Sequence, residues 1–219
     1  QLRRMGIPYQ IVGGTKFYDR KEIKDIISYL KFIVNNKDSI SFTRIVNFPH
    51  RGIGKTTIDK IFSAVSHNNF IDILLDPSKL NISKKQKETL NNIGIMFKNF
   101  KRKADSESPI QIIQELLSEI KLKQFYENNM TGESEDRLAN IEELINGIED
   151  YSYNNKNSKL SDYLEEVSLL TDIDKWNNKN DLITMMTIHS AKGLEFDYVY
   201  IVGLEDGLFP MIRGFEESD

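Results

Sequence analysis

The chain has 219 residues, enough for one or two domains with a real core, and its 39% hydrophobic and 28% charged residues are ordinary for a globular protein, if on the polar side. It contains no Cys, which excludes disulfides, thiolate metal sites and Cys nucleophiles and points to a reducing, cytoplasmic setting. The net charge is −4, so any grip on nucleic acid must come from local patches and backbone amides rather than from a global positive field.

His50, His67 and His189 are scattered without metal-ligand spacing, so no metal site is expected. No apolar run approaches a membrane span and no signal-peptide pattern opens the chain, so no membrane partner is expected. The chain opens at Gln1 without a Met and closes on Glu216-Glu217-Ser218-Asp219, which suggests a piece of something longer.

Arg3–Met5 reads as the last turn of a helix, stopped by Gly6 with Pro8 beyond. Tyr9–Val12 is a short strand ended by Gly13-Gly14. Asp19 and Glu22 have the spacing of a capping arrangement, and the helix behind them carries Ile23, Ile26, Ile27, Leu30, Ile33 and Val34 on one face.

In Ser39–Thr57, Ile40, Phe42, Ile45 and Val46 suggest a short helix that ends before Pro49. Arg51-Gly52-Ile53-Gly54 is a tight turn, and Thr56 or Thr57 caps a second helix with Ile58, Ile61, Phe62 and Val65 inward. A helix, a glycine turn and a helix make a hairpin whose free amides attract phosphate. Arg51 and Lys55 add charge on either side, so Arg51, Gly52, Ile53, Gly54, Lys55, Thr56 and Thr57 form a candidate contact to a duplex backbone. The plain alternative is an ordinary αα-turn with a glycine pair. Gly54-Lys55-Thr56 imitates the end of a Walker A loop, but that pattern needs a glycine where Pro49 stands, so a P-loop is rejected.

The pattern then stays helical to Asp172. Phe70, Ile71, Leu74 and Leu75 form a short helix ended by Pro77, and Ser83 starts one with Leu90, Ile93, Phe97 and Phe100. Ser108-Pro109 opens a helix with Ile112, Ile113, Leu116, Leu117 and Ile120. Ser134 precedes Leu138, Ile141, Leu144, Ile145 and Ile148, and Ser161 caps the last helix, with Leu164, Val167 and Leu170. Such a row of amphipathic segments implies a helical bundle, with polar loops at 131–135 and 154–159. Lys84, Lys85 and Lys87, with Lys101, Arg102 and Lys103, read as solvated helix faces or as a duplex track. Glu142, Glu143, Glu149 and Asp150 disfavour nucleic acid on the neighbouring helix, and Trp176 reads as a packing plug.

Leu182–Ile188 and Tyr198–Val202 both read as buried strands. Between them lies a polar insert with Thr187, His189, Ser190, Lys192, Gly193 and Glu195, placed where open α/β sheets bind ligands. Its plain reading is a strand-to-helix connection with Ser190 as cap.

The string TIHSAKGLEFDYVYIVGLEDGLFP, from Thr187 to Pro210, resembles motif V of the superfamily 1 DNA helicases of the UvrD, PcrA and Rep type. GIPYQIVGGTKFYDRKEIKD, from Gly6, resembles the same family where its second RecA-like domain, 2A, hands over to the inserted subdomain 2B. The resemblance implies that Thr187, His189 and Ser190 face single-stranded DNA. It also places Gly193, Leu194 and Glu195 near the ATP ribose and phosphates, and Arg20 and Glu22 at the hinge; solvated charges at a helix start are the plain reading of that pair.

The implied fold is mainly α: a helical bundle, residues 22–180, inserted into a partial RecA-like α/β domain whose few parallel strands come from residues 1–21 and 181–219. The implied parent is an ATP-dependent 3′-to-5′ DNA helicase using ATP and Mg²⁺ on a single-strand/duplex junction, with repair or replication proteins as possible partners. The Walker A lysine, the acidic Mg²⁺ motif and the arginine-bearing motif VI are not in this stretch, so no catalytic residue is assigned and no ATP hydrolysis is expected from it alone. An alternative from another class is a regulatory protein-interaction module without appreciable DNA affinity of its own, which the net negative charge and the acidic helix favour.

Overall fold

Apolar residues recur every three to four positions along most of the chain, a period that buries one stripe of a helix. The computed structural model describes residues 2, 5, 7, 9–12, 16–65, 69–128, 131–173 and 182–205, and it is mainly helical. The chain divides into two compact units, residues 1–14 with 180–219, and residues 15–179.

The first unit holds β1 (Tyr9–Val12) and β2 (Ile183–Met186), paired in parallel with Tyr9 opposite Ile183 and Val12 opposite Met186. Parallel strands so far apart in sequence require a long crossover, and the helical unit is that crossover. Tyr198–Val202 departs from expectation. It forms no strand, and Tyr198, Tyr200 and Val202 are all more than four-fifths exposed. β-branched and aromatic residues give a segment strand propensity, but propensity makes a strand only where a neighbour pairs with it, and among the described residues no strand pairs with Tyr198–Val202.

The second unit begins with a single 3₁₀ turn, Phe17–Asp19, and then α1 (Lys21–Val34), α2 (Ser39–Ile45), α3 (Lys55–Ala64) and α4 (Phe70–Leu75). α5 (Lys84–Ala104), α6 (Pro109–Glu119), α7 (Leu122–Glu127), α8 (Gly132–Asn154) and α9 (Leu160–Ile173) follow. α1 is the central element. Ile23, Ile26, Leu30 and Ile33 are buried as the stripe requires, and Tyr29 and Phe32 are buried with them. Phe32 meets Phe97 of α5 edge-on at 4.7 Å, and Phe42 of α2 stacks on Phe70 of α4 at 4.3 Å. These rings form the heart of the core.

Several caps differ from the expected ones. Arg20, not Asp19, occupies the cap of α1; Asp19 pairs with Lys24 at 2.6 Å instead. Asp38 caps α2 by accepting from the amides of Ile40 and Ser41. That phase puts Phe42, Ile45 and Val46 inward and leaves Ile40, about 200° round the helix from Phe42, 82% exposed. Gly54 rather than Thr56 or Thr57 caps α3, Thr131 rather than Ser134 caps α8, and Ser161 lies inside α9. Residues 132–135 are therefore helical rather than loop, and α7 is a further helix not expected from the pattern. Ser83 caps α5 as expected, in a reciprocal box with Gln86. The expected helix turn at Arg3–Met5, the stop at Gly13-Gly14 and the plug at Trp176 fall wholly or partly outside the described residues. No helix among the described residues is long and apolar enough to cross a membrane.

Candidate nucleic-acid interface

The glycine turn lies between α2 and α3 of the helical unit. The chain leaves α2 at Val46, passes Asn47 and a cis Phe48–Pro49 peptide, and reverses at Gly52, whose φ of +76° is the left-handed region that glycine tolerates. The turn is held from inside. Ile53 is 0% exposed and anchors it in the core. The Asn47 side-chain oxygen accepts hydrogen bonds from the amides of Arg51, at 2.9 Å, and Ile53, at 3.0 Å. On the α5 side, the Gln86 amide donates to the Gly52 carbonyl at 3.3 Å and to the Thr57 hydroxyl at 3.1 Å.

These contacts divide the seven candidate residues. Thr57 and the Ile53 side chain are buried. Arg51, expected as a phosphate contact, has its guanidinium engaged within the protein. It donates to the carbonyls of Ile45 (2.9 Å) and Phe48 (2.6 Å) and to the Tyr29 hydroxyl (2.6 Å), and it lies over the Tyr29 ring. Tyr29 in turn donates to the Phe48 carbonyl. Burial pushes the Tyr29 hydroxyl up to about 12, against the pull of the neighbouring Arg51 charge, so it stays a neutral donor at physiological pH.

What remains outward is Gly52, Gly54, Lys55 and Thr56, all exposed. Among the described residues, their amides have no protein acceptor, whereas the Thr57 and Ile58 amides already bond the Gly54 carbonyl. The amides of Lys55 and Thr56 open α3, where the partial positive end of the helix lies, and the Lys55 side chain adds a full charge. This is an anion-binding surface of small area and short range. Asn47 and Gln86 were not singled out from sequence. The S-x-x-Q spacing at Ser83–Gln86 was a visible signal for Gln86; nothing in the pattern marks Asn47.

The second candidate loop, in the other unit, follows the carboxyl end of β2. Thr187 caps the short α10 (Ile188–Ala191), its hydroxyl accepting from the Ser190 amide at 3.1 Å, so Thr187 replaces Ser190 as the cap. His189 is exposed and Ser190 half-buried beside it. Gly193 takes φ +84° and turns the chain into exposed Leu194 and Glu195. The loop thus gathers Thr187, His189, Ser190 and Gly193–Glu195 on one short segment past a parallel strand. Among the described residues, no three His, Asp or Glu side chains gather as a metal site.

Arg20 and Glu22 converge on Asn140 of α8. The Asn140 amide donates to Glu22 at 2.6 Å, the Arg20 guanidinium donates to the Asn140 side-chain oxygen, and Glu143 lies 3.9 Å from Arg20. Both residues therefore tie the start of α1 to α8.

A family model described as the UvrD-like helicase C-terminal domain matches residues 1–219. The chain belongs to the UvrD-like helicase family. It is 37% identical over 225 residues to the ATP-dependent DNA helicase PcrA of Bacillus subtilis, an alignment covering 99% of this chain and 30% of that protein. The proteins of the same name from Staphylococcus epidermidis and Staphylococcus aureus are each 38% identical over 220 residues, with the same coverage. The chain thus spans 30% of the length of these relatives.

Proposed function

We propose that this chain is the 2B subdomain with adjoining parts of the RecA-like 2A domain of an ATP-dependent 3′-to-5′ DNA helicase, and that its glycine turn holds duplex DNA by the phosphate backbone. The observation that carries this reading is the group of unpartnered amides at Gly52, Gly54, Lys55 and Thr56, the last two opening α3, in a chain matched end to end by a helicase family model. Direct amide-to-phosphate bonds act at contact distance, so they suit a protein of net charge −4.

On this reading Thr187, His189 and Ser190 meet single-stranded DNA, and Gly193, Leu194 and Glu195 form one wall of the nucleotide site. The left-handed Gly193 and its exposed neighbours suit close approach of a ribose or phosphate. ATP with Mg²⁺ supplies the phosphoryl transfer that drives translocation. The rest of that site, including any ligands to Mg²⁺, comes from segments of the parent other than this one. Arg20 and Glu22 serve as the helical unit's side of a hinge, keeping α1 and α8 moving together. The exposed acids Glu142, Glu143, Glu149 and Asp150 on α8 favour a second reading, in which the bundle also docks repair or replication proteins.

The test is Gly54→Asp. Gly54 has φ −82° and ψ 174°, and a Cβ there meets no atom within 4 Å, so Asp fits without strain. As a helix cap, Asp is better than Gly by a few tenths of a kcal/mol, so the fold is kept. The same carboxylate repels phosphate and competes for the free amides. Fluorescence anisotropy with a forked duplex at low salt should show affinity falling about tenfold or more, the scale of losing one or two charge-assisted hydrogen bonds. Equal binding by both proteins refutes the proposal.

A further inference from the structure

We propose that Asn47 and Arg51 are positioning residues for the duplex contact, fixing the glycine turn from beneath without touching nucleic acid themselves. This rests on the reading of the turn as a duplex contact and adds to it the device that keeps the turn ready.

Along Arg51–Gly54, bound and unbound amides alternate. The amides of Arg51 and Ile53 both bond the single Asn47 oxygen, and those of Gly52 and Gly54 have no acceptor. A short turn left to itself samples many conformers, and fixing a residue's backbone costs about 1–2 kcal/mol. If the two glycines had to be ordered at the moment of binding, much of the gain from phosphate bonds would be cancelled. Asn47 meets that cost during folding, and the buried Ile53 side chain keeps the turn from rolling over.

Arg51 completes the support. Its guanidinium gathers the Ile45 and Phe48 carbonyls, which end α2 and flank Asn47, and it reaches the buried Tyr29 hydroxyl on α1. The planar fork matches acceptors at fixed angles, a job a lysine ammonium does not reproduce. A guanidinium with three acceptors inside the protein has already used most of what a phosphate would compete for.

Three variants separate the possible roles. Lys55→Gln, which removes an outward charge, is the reference: it should lower the slope of log affinity against log salt by about 0.9 on duplex DNA. Arg51→Gln should weaken forked-duplex binding about tenfold while leaving the slope near that of the unaltered chain, and Asn47→Ala should weaken it similarly, both at temperatures where circular dichroism shows the variant folded. A slope loss in Arg51→Gln matching Lys55→Gln overturns the assignment and makes Arg51 a phosphate ligand. So does a variant that melts earlier yet binds, while folded, as the unaltered chain does; its residue is then merely structural.

Amide hydrogen exchange on the unaltered chain covers the case of variants that do not fold. Arg51 and Ile53 should exchange slowly in the free protein and Gly52 and Gly54 fast, the latter slowing when duplex is added. Equal fast exchange at all four in the free protein refutes the Asn47 cradle. If Gly54→Asp binds as the unaltered chain does, the reading beneath fails; if Gly54→Asp loses binding and Asn47→Ala keeps it, only this inference fails.

Discussion

Alanine in place of a helix-interior glycine should stabilise one helix of this protein and destabilise another. Gly94 lies in α5 where α4 crosses it. A Cβ at that position would stand 2.9 Å from the Leu74 Cβ, 2.9 Å from the Leu75 amide nitrogen and 3.0 Å from the Leu74 carbonyl carbon. None of these atoms rotates away, so α4 must retreat about 0.5 Å to reach ordinary contact, which begins near 3.4 Å. α4 carries Phe70, Ile71 and Leu74 into the core, and Phe70 stacks on Phe42. Overpacking of this kind costs about 1–3 kcal/mol, and contacts with backbone belong at the upper end. The helical preference of Ala over Gly returns about 1 kcal/mol, leaving a net loss of about 2 kcal/mol for Gly94→Ala. Gly147 of α8 is exposed and its added Cβ meets nothing within 4 Å, so Gly147→Ala keeps only the gain, about 0.5–1 kcal/mol. Urea denaturation at fixed pH measures both, with the midpoints moving in opposite directions. If they move together, the close approach of α4 to α5 is not what makes position 94 a glycine.

Ile53→Ala should lower stability by about 2–5 kcal/mol in the same assay, because the side chain is fully buried although it sits in the turn; a loss below 1 kcal/mol would place Ile53 at the surface instead. Asp25 offers a pH test. Burial holds its carboxyl above the ordinary value of about 3.8, against the pull of the Arg44 guanidinium bonded to it at 2.6 Å; Lys21 pulls the same way as Arg44, and Glu22 pushes up. One of its oxygens has no partner. The folded state therefore binds this proton more tightly than the unfolded state, so the stability it confers is full below about 3.8 and is lost as pH rises through the folded value. Stability of the unaltered protein relative to Asp25→Asn should fall over that window, and a difference that rises instead refutes the sign.

The helices were legible because their evidence is local. Leu90, Ile93, Phe97 and Phe100 show the period of α5 without reference to any other segment, and the Ser83–Gln86 box marks where it starts. Phase and partners were not legible. Ile40 and Phe42 are both apolar but stand about 200° apart round any helix, so only one can face the core, and which one depends on what α2 packs against. Tyr198–Val202 consists wholly of strand-forming residue types, yet among the described residues no strand pairs with it. Arg51 carries the right charge in the right turn for a phosphate contact, yet the carbonyls at the end of α2 reach it first. In each case the residue type is correct and a distant group decides its use.

The same distinction bears on the proposed grip of this net-negative chain on duplex DNA. Charges farther apart than about 8 Å are largely screened at physiological ionic strength, so under the proposal the groups at the turn itself count most. There the donors are amides, each already oriented by the fold, with Lys55 as the outward cation beside them. Amides release no counterions, so a contact built this way should depend weakly on salt and on sequence, since it reads only the backbone rail. A helicase acting on duplex of any sequence, as proposed for the parent, is served by a hold that reads only the backbone. On the proposed reading, rigidity is what the turn needs most, and the Asn47 oxygen and the inward-facing Arg51 guanidinium supply it from within the protein.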